Sequence, residues 1–339
     1  MAKFIVSRSR VLEQYRILKG LGVDVSYSVK TLPEICWILE ENTDSLFSVH
    51  MPQTLKYIKD MSRVWFMAQG WNNKLVGKLL GKSIRNFVVD NEADLQTLMN
   101  TIESGREKIN LLLRMRLKER TIHTGKYFVF GMYSDQINRI VPGLRKSRNI
   151  GKLGLHFHRK SQNTSEWSIK HEVSQVLGKA TLEAIDIFNI GGGIPVDYKN
   201  TSDRNLKFIF EKISEFREWM ESHNVKTIIE PGRFIAAPGT KLQAEIMAVY
   251  GNNVIIDASV YNGSLDTIIV PIKLLVEGEG KGKDYVIKGC TPCSMDIFRY
   301  QVKLKNPRVG EKITFLNAGA YCFATDFCNM PKLKIEFVD

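Results

Sequence analysis

The sequence predicts an α/β fold, a (β/α)8 TIM-like barrel followed by a smaller all-β domain. Two observations support this prediction. Eight apolar, strand-like runs alternate with helical patterns over the first two thirds of the chain, which is the arrangement of such a barrel. Beyond Arg233 no long helical pattern remains, and short strand-like runs are separated by Gly, Pro and Asn turns. With 339 residues, the chain is long enough for two domains.

The barrel strands are short, largely apolar runs. They are predicted at residues 23–30, 45–50, 63–68, 84–90, 109–115, 152–158, 184–190 and 225–230. Helical periodicity between them is clearest at residues 92–102, 164–182 and 206–222. Thr31 and Glu34 have the spacing of a capping box, which predicts that a helix begins directly after the first barrel strand.

The second domain is predicted from residue 234 to residue 339, so the barrel domain spans residues 1–233. Its strands are expected at residues 241–249, 254–257, 284–288 and 311–316. The first residues of the chain are expected to pair with this β domain.

Composition narrows the class of protein. The chain is 44% hydrophobic and 25% charged, as in an ordinary globular protein, and no apolar run approaches membrane-spanning length. Its five cysteines are an odd number without the spacing of a small disulfide scaffold, which favours reduced thiols and a cytoplasmic location. The net charge of +12 is spread along the chain without aromatic interleaving, so we do not expect nucleic-acid binding.

The run from Tyr27 to Lys30 is the most informative stretch for function. Lys30 lies at the C-terminal end of an alternating apolar strand, directly before the predicted helix. In α/β proteins this end of the strands carries the chemistry. A lysine amine there can form a Schiff base with a carbonyl, including the aldehyde of pyridoxal phosphate. A solvated surface lysine is the simpler alternative.

Other reactive side chains also fall at the C-terminal ends of predicted strands. Together with Lys30 they are Asp90, Arg114, His158, the glycine turn at residues 191–193, and Glu230. The C-terminal ends of barrel strands meet on one face of the barrel, which is where barrel enzymes bind their substrates. The sequence therefore predicts one site on that face.

Two turns at these strand ends could bind a cofactor. Gly191, Gly192 and Gly193 could close their backbone N–H groups on a phosphate, with a plain tight turn as the alternative. Glu230 is suited to face a ring nitrogen, and Arg233 is suited to pair with a phosphate. A surface turn with an incidental ion pair is the alternative for these two residues.

Two motifs contain metal-ligating residue types without metal-site spacing. His156 and His158 would point to one face of a strand, but no third and fourth ligand follows. We interpret His158 as stacking on a planar cofactor and His156 as a core residue. Cys290 and Cys293 form a C-x-x-C, but the later cysteines lie too far away for a zinc finger. We therefore expect no metal, and one reactive thiol at Cys293 near Asp296.

Taken in order, these residues resemble the fold-type III pyridoxal-phosphate decarboxylases, the ornithine, diaminopimelate and arginine decarboxylase family, whose barrel is alanine-racemase-like. The resemblance covers nearly the whole chain. Its motifs are Tyr27-Ser28-Val29-Lys30, Asp90, Arg114, His158 with Ser161, the G-G-G-I-P run from Gly191 to Pro195, the E-P-G-R run from Glu230 to Arg233, and Tyr321 in Asn317-Ala318-Gly319-Ala320-Tyr321.

The resemblance implies a pyridoxal phosphate cofactor held on Lys30. It assigns the other residues as follows: Glu230 to the ring nitrogen, His158 to stacking on the ring, and Asp90, Arg114, Ser161, Gly191, Gly192, Gly193, Gly232, Arg233 and Tyr321 to the remaining cofactor contacts. It also implies a homodimer in which the loop at residues 289–298 completes the partner's site. In that loop Cys293 is the expected proton donor, and Cys293 and Asp296 are expected to contact the substrate.

The expected function is removal of the α-carboxylate of an amino acid, a diamino acid or a conjugate of one, as in polyamine, lysine or siderophore biosynthesis. Two alternatives stay open: a pyridoxal-phosphate-dependent racemase, and a homologue that binds the cofactor without turnover.

The chain also departs from the family motifs at two places. Pro292 stands where the family has its loop cysteine, so Cys293 is displaced by one residue. Arg159 and Lys160 replace a glycine-containing turn, and their charge hints at a substrate with an extra anionic group.

Overall fold

The computed structural model describes residues 1–105, 107–117, 130–201, 205–322 and 324–339. The chain divides into two compact units. The barrel unit comprises Arg16–Gly193 and Asn205–Pro231, and the β unit comprises Met1–Tyr15, Ile194–Arg204 and Gly232–Asp339. The domain boundary at residue 233 stays a prediction, because a domain is defined by independent stability and not by compactness alone.

Strands and helices alternate through the barrel unit, and strands dominate the β unit. The strands in the described part of the chain are β1 (Lys3–Ser7), β2 (Asp24–Ser28), β3 (Leu46–Val49), β4 (Val64–Met67), β5 (Asn86–Val89), β6 (Ile109–Arg114), β7 (Ile150–His156), β8 (Ile187–Asn189), β9 (Lys226–Ile229), β10 (Thr240–Tyr250), β11 (Asn253–Ile256), β12 (Leu275–Val276), β13 (Lys283–Lys288), β14 (Ile297–Leu304), β15 (Lys312–Leu316) and β16 (Lys334–Val338). The α-helices are α1 (Arg8–Lys19), α2 (Cys36–Asn42), α3 (Asn73–Gly81), α4 (Glu92–Gly105), α5 (Ser134–Leu144), α6 (Ile169–Val176), α7 (Lys179–Ala184), α8 (Leu206–Glu221), α9 (Arg233–Ala236), α10 (Val260–Gly263) and α11 (Asp266–Ile269).

The predicted barrel is confirmed. Among the described residues, the eight parallel strands β2 to β9 close into a barrel in chain order, and β2 pairs with β9 to complete the ring. Strands β4 and β5 are buried along their whole length, as is typical of strands covered on both faces. A cluster of large apolar side chains packs together in the core of this unit: Trp65, Met67, Val88, Leu112, Ile187 and Ile228.

Two predictions about helices in the barrel unit are wrong. The Thr31 hydroxyl is buried without a hydrogen-bond partner, so it does not cap a helix. The chain instead forms a 3-10 turn at Pro33–Ile35 before α2 begins. The single helix predicted at residues 164–182 is divided into α6 and α7. The Asn138 side chain stabilises this break, because its amide donates to the Val176 carbonyl and its oxygen accepts from the Gly178 N–H.

The β unit contains one eight-stranded sheet among its described residues. Its main order is β12-β15-β10-β11-β13-β14. Strand β1 pairs antiparallel with β10 and parallel with β16, so the first residues of the chain belong to this sheet. The predicted strands β10, β11, β13 and β15 are present, whereas β12, β14 and β16 were not predicted.

Across the part of the chain that the structure describes, every helix is too short or too polar to span a lipid bilayer.

Candidate active site

Lys30 stands at the mouth of the barrel, two residues beyond the end of β2. Its turn is tied to both neighbouring strands, because Ser28 N–H donates to the Pro231 carbonyl at 3.1 Å and Val29 N–H donates to the Ser48 carbonyl at 3.1 Å. Solvent reaches the Lys30 side chain, yet the protein around it removes much of the water near the amine. This desolvation lowers the pKa of Lys30.

Glu230 follows β9 directly and is buried at the same mouth. Its Oε1 accepts hydrogen bonds from Ser48 Oγ at 2.7 Å and Asn189 Nδ2 at 2.9 Å. Its Oε2 lies 3.2 Å from His156 Nε2. Burial alone would raise the pKa of Glu230, but His156 and the hydrogen bonds outweigh it and lower that pKa. Glu230 is therefore held as a carboxylate.

The hydrogen bonds around Glu230 link several strands. Ser26 Oγ on β2 lies 2.7 Å from Ser48 Oγ on β3. Asn189, the last residue of β8, also accepts from the Gly191 N–H at 2.9 Å. The polar network therefore connects β2, β3, β8 and the Glu230 turn, and it fixes the carboxylate within the closed barrel.

His158 is the second predicted residue whose protonation state the structure defines. Its Nδ1 accepts a hydrogen bond from the Gly192 N–H at 3.2 Å, so that nitrogen carries no proton. Desolvation, followed by the positive charges of Lys30 and Arg114, lowers the pKa of His158 to about 3. The imidazole is therefore neutral at physiological pH.

The glycine turn requires glycine for steric reasons. Gly191 and Gly193 have φ angles of 67° and 107°, in the left-handed region that side chains disfavour. A Cβ on Gly191 would lie 2.3 Å from the Phe157 carbonyl oxygen, and one on Gly192 would lie 2.5 Å from that of Glu230. The turn thus packs its backbone directly against the two strand ends that carry the site.

Asp90, directly after β5, forms an ion pair with Arg114, the last residue of the neighbouring strand β6. Arg114 Nη1 donates to Asp90 Oδ1 at 3.2 Å, and Gln69 Nε2 donates to Asp90 Oδ2 at 3.0 Å. Asp90 is buried and Arg114 nearly so. The guanidinium of Arg114 also lies 5.0 Å from the centre of the Phe130 ring. Both predicted residues are therefore brought to the barrel mouth as one ion pair.

The segment after His158 contains charges that the sequence associates with an anionic substrate. The structure does not favour that interpretation. Arg159 is buried, and its Nη2 lies 2.7 Å from Glu172 Oε2. Lys160 Nζ lies 3.4 Å from Glu166 Oε1. Both cations thus have carboxylate partners of their own. Ser161 is half-buried in the bend that follows.

Sequence reasoning missed three polar residues of this mouth and predicted only part of the role of a fourth. Ser48 and Asn189 contact Glu230, and His50 follows β3 with its Nδ1 buried and without a partner. Desolvation and then Lys30 lower the pKa of His50 to about 3. His156 is a core residue, as predicted, but it also contacts Glu230. Polar residues inside apolar strands were the available signal.

The predicted phosphate ligands Arg233 and Tyr321 belong to the β unit. Arg233 is buried, and its Nη1 lies 2.6 Å from Asp266 Oδ2 and 2.9 Å from the Tyr198 hydroxyl. Its guanidinium lies 5.2 Å from the centre of the Tyr321 ring. Gly232 precedes α9 and accepts hydrogen bonds from that helix with its carbonyl. Asp266 and Tyr198 are neighbours of Arg233 that the sequence did not reveal.

The loop with the predicted proton donor also lies in the β unit. Cys293 is partly exposed, and its Sγ lies 3.0 Å from the Tyr261 hydroxyl. This hydrogen bond raises the pKa of Tyr261 to about 12. Asp296 is buried, and its carboxylate accepts hydrogen bonds from Val260 N–H and from the backbone and hydroxyl of Thr291. The Asp296 carboxylate is thus occupied by hydrogen bonds within its own unit, which leaves it little access to a ligand.

A comparison with protein families gives the identity of the barrel. The sequence model described as "Pyridoxal-dependent decarboxylase, pyridoxal binding domain" matches residues 48–237, more than half of the chain. The chain belongs to the pyridoxal-dependent decarboxylases. The family predicted from the motifs is confirmed, as are its class of enzyme, a carbon–carbon lyase acting on amino acids, and its cofactor, pyridoxal phosphate.

Two curated relatives of this decarboxylase are diaminopimelate decarboxylases by name. The Helicobacter pylori protein is 24% identical over 317 residues, which cover 87% of this chain and 77% of the relative. The probable chloroplastic protein of Oryza sativa subsp. japonica is 25% identical over 257 residues, 70% of this chain. The match spans only 52% of the length of the rice relative.

Solved structures share the fold of this decarboxylase over its whole length. The lysine/ornithine decarboxylase from Vibrio vulnificus, crystallised with putrescine, superposes with a TM-score of 0.82 at 22% identity. The match covers 100% of this chain and 94% of that chain. A barrel with a separate β sheet is thus the architecture of both proteins.

Proposed function

We propose that this decarboxylase removes the α-carboxylate of an amino acid, either a diamino acid or a conjugate of one. The observation that carries the proposal is that Lys30 and Glu230 lie at the same barrel mouth. One is an amine with a lowered pKa and the other is a buried carboxylate held in its anionic form. The diamino-acid substrates in the names of the relatives support the substrate class.

The residues of the barrel mouth fit pyridoxal phosphate. A lowered pKa leaves more of the Lys30 amine neutral, which is the form that attacks an aldehyde. The Glu230 carboxylate is suited to accept a hydrogen bond from the N–H of a protonated ring nitrogen, and so to keep that nitrogen protonated. Neutral His158 is suited to stack on a flat ring. When bound, the cofactor supplies an electron sink for the bond that loses CO₂.

Each side chain then has a task that its surroundings allow. Lys30 would hold the cofactor, and Glu230 would keep a proton on its ring nitrogen. Asp90 orients Arg114 at the rim. Ser161 and Gly193 would provide hydroxyl and N–H donors for a phosphate, because the N–H groups of Gly191 and Gly192 already donate to Asn189 and His158. We extend the same motif-based assignment to Gly232, Arg233 and Tyr321 as phosphate contacts.

We further propose a homodimer in which the loop at residues 289–298 of each chain completes the partner's site. Cys293 would then donate the proton that replaces the lost carboxylate, while Asp296 shapes the loop. The partial exposure of Cys293 and the 55% exposure of Met295 support a role for this loop outside its own chain.

Mixing two inactive variants tests this dimer. K30A and C293A should each lose activity, and a mixture refolded together should regain it, because one site of a hybrid dimer contains both intact residues. Sedimentation should show a dimer for each protein. A monomer in solution, or a mixture as inactive as its components, would contradict the proposal.

The decarboxylase activity itself is tested with a panel of L- and D-diamino acids and their acyl conjugates. We expect CO₂ release from at least one of them, and borohydride should fix the cofactor to Lys30 but not to the exposed Lys74 of the same unit. Deuterium at Cα without CO₂ release would favour a racemase instead. Cofactor binding without any product would favour a homologue that lacks turnover.

We also propose a cytoplasmic location. All five cysteines lie among the described residues, and none of them forms a disulfide there.

A further inference from the structure

His156 occupies an unusual position for a buried histidine. It is the last residue of β7, it is 1% exposed, and its Nε2 lies 3.2 Å from Glu230 Oε2. Its second ring nitrogen, Nδ1, is buried and has no hydrogen-bond partner. The imidazole is therefore bound to the carboxylate through one nitrogen only.

This arrangement defines where the proton of His156 lies. Because Glu230 is a carboxylate, its Oε2 accepts and Nε2 must donate. His156 is therefore a donor to the Glu230 carboxylate through Nε2, and this hydrogen bond orients the carboxylate.

The two oxygens of Glu230 are held differently. Oε1 accepts from both Ser48 and Asn189, whereas Oε2 receives His156 alone within the described ranges of the chain. A carboxylate oxygen has two lone pairs, so Oε2 keeps one of them for a further donor. His156 thus orients Glu230 Oε2, the carboxylate oxygen that can accept one more hydrogen bond.

We propose that His156 is a positioning residue for the decarboxylase, which turns Glu230 Oε2 toward the protonated ring nitrogen of pyridoxal phosphate. This inference rests on the proposed function of Glu230. It predicts that the affinity for the cofactor and the protonation of its ring nitrogen both depend on a hydrogen-bond donor at the position of His156 Nε2.

Three substitutions distinguish a hydrogen-bonding role of His156 from a role in packing alone. In H156Q the amide nitrogen of the longer side chain reaches the level of Nε2 and restores a donor there. In H156N the amide stops at the level of Nδ1, where His156 has no partner. In H156L the donor is lost altogether. H171Q, at an exposed position of α6, is the matched surface control.

The first measurement uses the cofactor-free protein with ¹⁵N-labelled histidine. We expect nitrogen NMR to show a proton on His156 Nε2, and E230Q to shift that signal. An Nε2 that carries no proton would overturn the inference without reference to the cofactor. Circular dichroism establishes that each variant is folded.

The second measurement uses the holoenzyme with ring-¹⁵N pyridoxal phosphate. We expect a protonated ring nitrogen in wild type, H156Q and H171Q, and a shift toward the neutral form in H156N and H156L. The dissociation constant of the cofactor should rise roughly tenfold to a hundredfold in H156N and H156L, because a hydrogen bond to a charged group is lost. Identical ring signals in wild type, H156N and H156L would refute the positioning role alone. A wild-type protein that takes up no cofactor would instead refute the proposed function.

Discussion

At the scale of single residues, the desolvation that makes the Lys30 amine reactive also destabilises the folded protein when that amine is protonated. Its folded pKa lies below that of an unfolded lysine, so the folded protein loses stability whenever that amine is protonated. The stability of the cofactor-free protein should therefore rise as pH increases through the folded pKa toward the unfolded value.

The substitution K30M tests both properties together. It should abolish decarboxylation, by at least about a thousandfold, because the reactive amine is gone. The same substitution should raise the melting temperature of the cofactor-free protein at pH 7 by about 1–3 °C, since a partly desolvated charge is removed. K74M, at an exposed position of α3, should change neither quantity. A lower melting temperature for K30M would contradict the assignment of a lowered pKa.

Glu230 shows the opposite dependence on pH. Its folded pKa is lowered, so its stabilisation is present above the unfolded pKa of about 4.3 and is lost as pH falls through the folded value. E230Q places an amide N–H₂ among donors, and should reduce the free energy of unfolding by about 1–3 kcal/mol at pH 7. Urea unfolding at pH 7 and pH 3 should show a smaller difference at pH 3. E211Q, on the exposed face of α8, is the control, and an equal loss at both pH values would count against the mechanism.

Site residues can be predicted from the sequence where they lie at the end of a recognisable strand. Lys30, Asp90, Arg114 and Glu230 were all placed at strand ends, and the structure brings them to one barrel mouth. Ser48 could not be predicted in the same way, because its role depends on a partner 182 positions away in the chain. A polar residue in an apolar strand signals a partner without identifying it.

At the scale of elements, the glycine turn after β8 is the most constrained connection of the barrel unit. G191A should combine backbone strain with a clash against the Phe157 carbonyl. Gly70 has nearly the same φ, 69°, but open space around it, so G70A isolates the strain. In chemical denaturation we expect G70A to lower the free energy of unfolding by about 1 kcal/mol, and G191A to lower it by more than about 3 kcal/mol. Equal losses for the two variants would mean that the turn moves and relieves the clash.

Elements were predictable where their periodicity is regular. The eight barrel strands and α8 were found because their apolar residues recur at the spacing of their type. Strand β14 was missed because Gln301 adopts a positive φ of 53° and the pairing with β13 is irregular, which interrupts the alternation. Arg299 in that strand is buried beside Glu279, so a core position is occupied by a charge. The break between α6 and α7 depends on Asn138, a residue of another helix.

At the scale of the whole molecule, β1 determines whether the C-terminal strand is held in its sheet. In the described part of the chain, β16 pairs with β1 alone. Ile5→Pro removes an N–H and introduces a ring that a central strand does not accommodate. Hydrogen exchange should then accelerate at β16 amides by at least about tenfold, while β13 and β14 stay protected. Unchanged protection of the β16 amides would show that side-chain packing, and not the backbone hydrogen bonds to β1, keeps β16 in the sheet.

The order of the units along the chain has a consequence for synthesis. The polypeptide passes from one unit to the other four times, at Tyr15/Arg16, Gly193/Ile194, Arg204/Asn205 and Pro231/Gly232. During translation Lys3–Ser7 therefore leaves the ribosome long before Lys334–Val338 has been made. At ordinary elongation rates that delay is on the order of tens of seconds. Strand β1 can pair with β10 first, and its parallel pairing with β16 is the last step in the assembly of this sheet.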